Sequence, residues 1–341
     1  MTIQVWIYLV SIGGTVYFGF MLYHGYLLSM PNTWNENHRQ GFSKTLNVMI
    51  KNLTSLYGTD DLSDNITLVT AYFDLGQIYK GPFHTQDFAV YQKWSSAYKF
   101  VANPLIFFTD SEQMAELFLL YRKNLPKNAT KVVLIKSDEL WAFSKAKLIK
   151  KIFSDPAYPK FSPNTINENY SCTMHAKYDL LEKVIKEKWF RTKFLAWVDI
   201  GYFRNQVDET HKFHLKLPED FSYQHISFTE INEFNKKLTP MGIIDENAVW
   251  VGGGMILGGL ELMTGFISDY KEAVGRMLDE KLMSTDQQVI YIMYSNKLPG
   301  FTPKIQIQTH TLHTRDWFHL GRICGLPVLH KRRMTDIFSY L

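Results

Sequence analysis

The chain is poor in cysteine, with only Cys172 and Cys324 in 341 residues. Two thiols so far apart make neither a disulfide framework nor a CxxC metal site. They leave one bridge in an oxidising compartment, or two free thiols. Basic runs are equally scarce. Net charge is +4, and beyond Lys331-Arg332-Arg333 no cluster marks a nucleic-acid surface. There is no GxGxxG turn and no Walker loop, which removes support for dinucleotide dehydrogenases and P-loop enzymes. Internal repeats and low-complexity stretches are absent as well. The last absence is local: no charged side chain precedes Glu36.

What is present describes a globular protein with an apolar leader. The composition is 46% hydrophobic and 21% charged, ample for a core, and includes 24 Phe, 19 Tyr and 8 Trp. Residues 3–30 carry no Asp, Glu, Lys or Arg. A bilayer span needs about 20 apolar residues, and aromatics surround this segment on every face, so it reads as a signal-anchor transmembrane helix, residues 1–30. Arg39, Lys44 and Lys51 follow it, which by the positive-inside rule would leave the rest in the cytoplasm. Four N-x-S/T sequons, at Asn52, Asn65, Asn128 and Asn169, point the other way.

Residues 31–64 are polar and read as a short stem. From residue 65 to 341 the pattern is that of one α/β domain. Strands are expected at Ile66–Tyr72, Pro104–Thr109 and Lys131–Ile135, with a helix after Asp110 capped by that residue and Gln113. A proline-containing stretch precedes an amphipathic helix, Met174–Phe190, which leads into the apolar strand Phe194–Val198. The segment Ala248–Gly259 is a glycine-broken strand, and helices follow at about 260–280 and from Ser284. Alternation of this kind predicts a mainly parallel sheet flanked by helices.

Candidate chemistry gathers at a few places. Asp199 follows an apolar strand and precedes Gly201, the arrangement that delivers an acid to the carboxyl edge of an open sheet. A carboxylate there can hold Mg²⁺ or Mn²⁺, or can be an ordinary turn residue. Gly252, Gly253 and Gly254 predict a bulge or a close approach of backbone to ligand, or equally a tight strand crossing. Ser284 and Gln287 fit a capping box, with Asp286 in the first turn as a dipole partner or a general base. His310, His313 and His319 lack the spacing of a zinc site. Lys177 and Arg204 are surface cations or neutralise a diphosphate.

Taken together, ITLVTAYFDLG (66–76), PLIFFTD (104–110), HAKYDLL (175–181), WVDIGYFR (197–204), VGGGMILGG (251–259) and STDQQVIYIMYS (284–295) resemble the HtrL/YibB family over roughly 65–325. That family is glycosyltransferase-A-like in character. The resemblance implies a GT-A-like single domain that binds a nucleotide on its first strands and sets a D-x-D motif after the fourth. It also implies a hexosyltransferase moving sugar from a nucleotide diphosphate sugar, UDP-sugars favoured and galactose first among them, to a glycan acceptor. On this basis Thr70, Tyr72, Asp110, Lys177 and Arg204 would bind the donor and Gly252–Gly254 the acceptor. Asp199 and Asp286 would be catalytic, and Asp199 with His313 would hold a divalent cation, Mn²⁺ above all. The chain departs from the pattern at Asp199-Ile200-Gly201, where the second acid is missing. Either Asp199 and His313 hold the cation with waters, or Lys177 and Arg204 do its work. The resemblance to anchored lumenal transferases implies a single-pass type II Golgi membrane protein. A non-catalytic glycan- or protein-binding protein on the same fold is the alternative, and a two-carboxylate glycoside hydrolase a weaker one.

Overall fold

The apolar runs become strands of one sheet, and its faces are buried on both sides. The computed structural model describes residues 66–79, 85–312 and 315–327. The expected anchor (1–30), the stem (31–64) and His313 lie outside the described residues. Among the described residues no helix is long and apolar enough to cross a membrane. Of the sequons, Asn128 and Asn169 are exposed, while Asn52 and Asn65 fall outside the described residues.

In chain order the strands are β1 (Ile66–Tyr72), β2 (Ile78–Tyr79), β3 (Thr85–Gln86), β4 (Leu105–Thr109), β5 (Thr130–Leu134), β6 (Phe194–Val198), β7 (Ile226–Glu230), β8 (Val251–Gly259) and β9 (Ile307–His310). The helices are α1 (Phe88–Ser95), α2 (Glu112–Arg122), α3 (Ala146–Phe153), α4 (Glu168–Glu187), α5 (Pro240–Asp245), α6 (Leu260–Asp279), α7 (Asp286–Tyr294) and α8 (His319–Ile323). Seven of these strands form one sheet in the order β5-β4-β1-β6-β8-β7-β9, and β2 pairs with β3 apart from it. All neighbours in the large sheet are parallel except β8, which runs against both β6 and β7. The mainly parallel expectation therefore holds. The reversed strand has a consequence: the beginning of β8 lies beside the ends of β6 and β7.

Strand side chains alternate between two apolar layers, as the period of two requires. Val69, Ile106, Phe108 and Trp197 enter the layer beneath α4, α6 and α7, whereas Leu68, Phe107, Ala196 and Val198 enter the layer beneath α2 and α8. Cys172 belongs to the first layer and Cys324 to the second, and both are free. Burial pushes each thiol up to about 12, so neither is a nucleophile at neutral pH.

Several boundaries differ from those read in the sequence, for local reasons. The helix after β4 is capped by Ser111, which accepts from the Met114 amide at 3.2 Å, and not by Asp110. Asp110 instead accepts from the Asp74 amide at 3.0 Å. Helix α4 begins six residues before Met174, because Asn167 caps the amides of Asn169 and Tyr170. Helix α7 is not opened by a Ser284–Gln287 box. Its N-cap is Thr285, and the hydroxyls of Ser284 and Thr285 both donate to Gln288 Oε1.

Helix α4 is fastened to α6 by a stack of Tyr178 on Tyr270, 3.6 Å between centroids, and by Lys271 bridging Asp179 and Glu182. His175 lies beside the stack, 1% exposed, with Nδ1 2.6 Å from Tyr270 Oη and Nε2 3.2 Å from Ser171 Oγ. Burial depresses its pKa to about 3, the nearby Lys177 charge pushing the same way. Unfolding lets this imidazole take a proton near pH 6.5, so its contribution to stability is present above that value and lost as pH falls towards 3. We expect the full chain to lose about 2 kcal/mol of stability through His175 between pH 7 and pH 5. Denaturation at the two pH values, compared with His175→Gln, should show that part of the decline disappear in the variant. An unchanged decline would remove His175 as its source.

Candidate functional site

Asp199 occupies the first position beyond β6, and almost every polar atom it owns is committed. Its amide donates to Gly254 O at 2.8 Å, and its carbonyl accepts from Tyr202 N at 2.8 Å and Tyr98 Oη at 3.1 Å. Its side chain lies on the Trp197 face of the strand, two residues on, and Oδ1 accepts from the Trp197 indole at 2.7 Å. Tyr98 is itself locked, because the buried Arg122 donates to the carbonyls of Tyr98, Val101, Asn103 and Ala129 around its turn. The carboxylate is thus fixed by one oxygen, with the side chain 40% exposed.

Lys177 reaches the same point from the third turn of α4. Its Nζ lies 3.1 Å from Asp199 Oδ1, 3.0 Å from Asp286 Oδ2 and 2.9 Å from Gly253 O. Lys177 and Asp286 are each 2% exposed. Burial alone would lower the lysine pKa, but Asp199 and Asp286 hold it well above the usual value. The ammonium also lies 5.9 Å from the Trp197 ring centre. Asp286 stands at the first position of α7, where a helix favours negative charge.

The triple glycine forms the bulge read from it, and its backbone closely approaches Lys177, Asp286 and Asp199 of the chain itself. Pairing of β7 with β8 jumps from Phe228–Ile256 to Thr229–Gly252, so Gly253, Gly254 and Met255 bulge out of that ladder. The bulge turns Gly253 O to Lys177 and Gly254 O to Asp199. A Cβ on Gly253 would lie 2.2 Å from Asp286 Oδ2, and one on Gly254 would lie 3.3 Å from the Tyr202 ring. Gly252 faces elsewhere, towards Ile231 and Trp317.

These groups line an open cavity of about 1170 Å³ at the carboxyl edge of β1 and β6. One wall is aromatic, from Tyr72, Tyr91 and Trp94, with Arg204 held 5.7 Å from the Trp94 ring centre and 4.6 Å from that of Phe318. Polar lining comes from Asn164, Thr173, Thr285 and Gln287. Of the residues expected at the site, Tyr72, Lys177, Asp199, Arg204, Gly253, Gly254 and Asp286 line this cavity. Thr70 does not: it is buried inside the sheet with its hydroxyl 3.3 Å from Tyr98 Oη, so it supports Asp199 from behind and cannot touch a nucleotide. Asp110 and Gly252 are not among the lining residues either. Lys177 is not a solvated cation. Residues that the sequence did not single out include Trp94, Tyr98, Tyr170, Thr173 and Met174. The last three share a helical stripe with Lys177, at spacings of seven, four and three, which is the signal that could have found them.

The donor set does not fit a metal built into the protein. Asp199 Oδ1 and Asp286 Oδ2 are taken by Lys177, and among the described residues no group of three His, Cys, Asp or Glu could hold a metal ion. A second acid in place of Gly201 is sterically barred, because its Cβ would fall 2.7 Å from the Trp94 ring. Nor does the space suit a glycoside hydrolase. The gap between the carboxylates, where such an enzyme seats the glycosidic bond, is filled by Nζ.

The chain matches the model of a family described as "Bacterial protein of unknown function (HtrL_YibB)" over residues 64–324, and it belongs to that family. No curated protein matches its sequence. Among solved structures, 90 chains match. One is described as "Crystal Structure of Core-mannan synthase A (CmsA/Ktr4) from Aspergillus fumigatus, Mn/GDP-form", at TM-score 0.39 and 11% identity over 72% of each chain.

The packing at the bulge makes a differential prediction. A methyl at Gly253 would stand 2.2 Å from Asp286 Oδ2 and 3.2 Å from Lys177 Nζ, whereas one at Gly252 would meet Ile231 at 3.3 Å and Trp317 at 3.4 Å. Breaking a buried ion pair costs about 3–5 kcal/mol, so Gly253→Ala should destabilise on that scale. Gly252→Ala should cost no more than about 1 kcal/mol. Chemical denaturation of the two variants checks this, and equal costs would contradict the packing described.

Proposed function

We propose that the chain is a GT-A-type glycosyltransferase that moves a hexose from a nucleoside diphosphate sugar to a glycan hydroxyl. The observation that carries this reading is the convergence of Asp199, Lys177 and Asp286 in one open cleft, beside an aromatic wall, at the carboxyl edge of the parallel strands. Open α/β sheets bind their ligands at that edge. Tyr72, Tyr91 and Trp94 supply faces for a nucleobase, and Lys93 and Arg204 supply charge for its diphosphate. The polar lining from Asn164, Thr173, Thr285 and Gln287 suits the hydroxyls of an acceptor glycan. During transfer the bond from the anomeric carbon to the diphosphate breaks and a bond to the acceptor oxygen forms. Asp199 places negative charge where the sugar becomes cationic. If configuration inverts, the acceptor proton passes to Asp286. If it is retained, the acceptor proton leaves on the departing diphosphate oxygen and Asp286 positions its neighbours, a role that its burial and pairing with Lys177 favour. UDP-galactose is the first donor to test. Residues 1–30 would anchor the domain in the Golgi lumen as a type II protein.

A second reading has a specific observation behind it. Lys177 and Asp286 satisfy each other, and the second acid is barred by Trp94, as a non-catalytic glycan-binding protein on this fold would allow. The two readings separate on turnover. The full chain in detergent, given a panel of UDP- and GDP-sugars with a mixed glycan acceptor pool, should release nucleoside diphosphate from one donor when acceptor is present. Asp199→Asn should lower that release by about 100-fold or more. Glycan binding without release from any donor, by folded protein, would overturn the transferase reading.

A further inference from the structure

Lys177 is poorly placed to meet a substrate and well placed to satisfy the protein. An ammonium has three N–H donors, and here each has an oxygen: Gly253 O at 2.9 Å, Asp286 Oδ2 at 3.0 Å and Asp199 Oδ1 at 3.1 Å. None is left for a phosphate, and the side chain is 2% exposed. Two carboxylates and a backbone carbonyl are the hard oxygen donors that Mg²⁺, Mn²⁺ and Ca²⁺ select. The nitrogen lies where those three oxygens converge.

The surroundings exclude the alternatives. The position that would supply a further acid is Gly201, and the Trp94 ring lies 2.7 Å from where its Cβ would be. At Gly253 the missing Cβ lets the carbonyl-bearing bulge press against Asp286 and Lys177, at 2.2 Å and 3.2 Å from the atom a side chain would add. Chain geometry on both sides is thus fitted to an ammonium carried by α4. The cations with room to face a ligand are Arg204 and Lys93 on the cavity wall.

We propose that Lys177 is a tethered cation filling an all-oxygen site, so that the protein supplies from its own chain the charge a divalent metal would bring there. The inference does not rest on the transferase reading, because it concerns cation binding and is read without any sugar donor.

The test is Mn²⁺ binding to the full chain in detergent, followed by electron paramagnetic resonance of free Mn²⁺ with no nucleotide present. Wild type should show no saturable site sensitive to Asp199→Asn. Lys177→Met removes the ammonium and its charge, leaving an apolar side chain one atom shorter, and should acquire a site at least ~10-fold tighter than any in wild type. That gain should vanish in Lys177→Met/Asp286→Asn, and Lys177→Arg, which keeps the charge, should not produce it. Saturable binding by wild type that Asp199→Asn abolishes would overturn the proposal, as would folded Lys177→Met with no gain. Should Lys177→Met fail to fold, the wild-type arm decides alone: Asp199-dependent binding sinks the proposal and its absence upholds it.

Discussion

A charge removed from water must be met by opposite charge and hydrogen bonds, or it will not survive as a charge. Lys177 meets this demand with three oxygens drawn from three separate parts of the fold: the end of β6, the bulge in β8 and the first turn of α7. Each contributor is shaped by that meeting. The carbonyl of Gly253 faces inward because pairing of β8 with β7 is interrupted there. Asp286 can be buried because the ammonium and the start of a helix both favour its negative charge. Asp199 can remain partly exposed because the Trp197 indole and Lys177 hold one of its oxygens. The result is a rigid edge with a carboxylate presented to an open cleft.

The cleft's lining follows from the topology. Helix α1 lies between β1 and β4 in sequence, and brings Tyr91, Lys93 and Trp94 to the end of β1. The reversed strand β8 and helices α4 and α7 bring glycines, amides and hydroxyls. Aromatic, cationic and polar side chains thus share one cleft with the fixed acids. Trp94 has two tasks in this arrangement. It carries Arg204 on one face of the site, and its ring occupies the space that a second acid after Asp199 would need.

Much of this was legible in the sequence, unevenly. Strands β1, β4 and β6 are short apolar runs ended by polar or turn residues, and β-branched and aromatic composition identified them. Asp199 was found for the same reason, since an acid closing such a run has few other places to go. The glycines of β8 pointed to a bulge, a close backbone approach or a tight strand crossing, and only the pairing with β7 shows which of these forms. What stayed hidden depends on contacts between distant segments. The first turns of α4 are polar and follow a proline-rich stretch, so only the Asn167 cap reveals them. Thr70 sits beside Tyr72, yet the pleat turns it into the sheet, where it supports Tyr98. Lys177 looked like a surface cation because its partners are 22 and 109 residues away in sequence, and no local pattern encodes that meeting.

The central claim is that one buried ammonium holds Asp286 in place and is held by it. A double-mutant cycle on the full chain, with Lys177→Met, Asp286→Leu and the combined variant followed by chemical denaturation, measures that coupling directly. The account predicts that the single changes each destabilise strongly and that the double variant is more stable than their sum by about 2 kcal/mol or more. Additivity to within about 0.5 kcal/mol would contradict it.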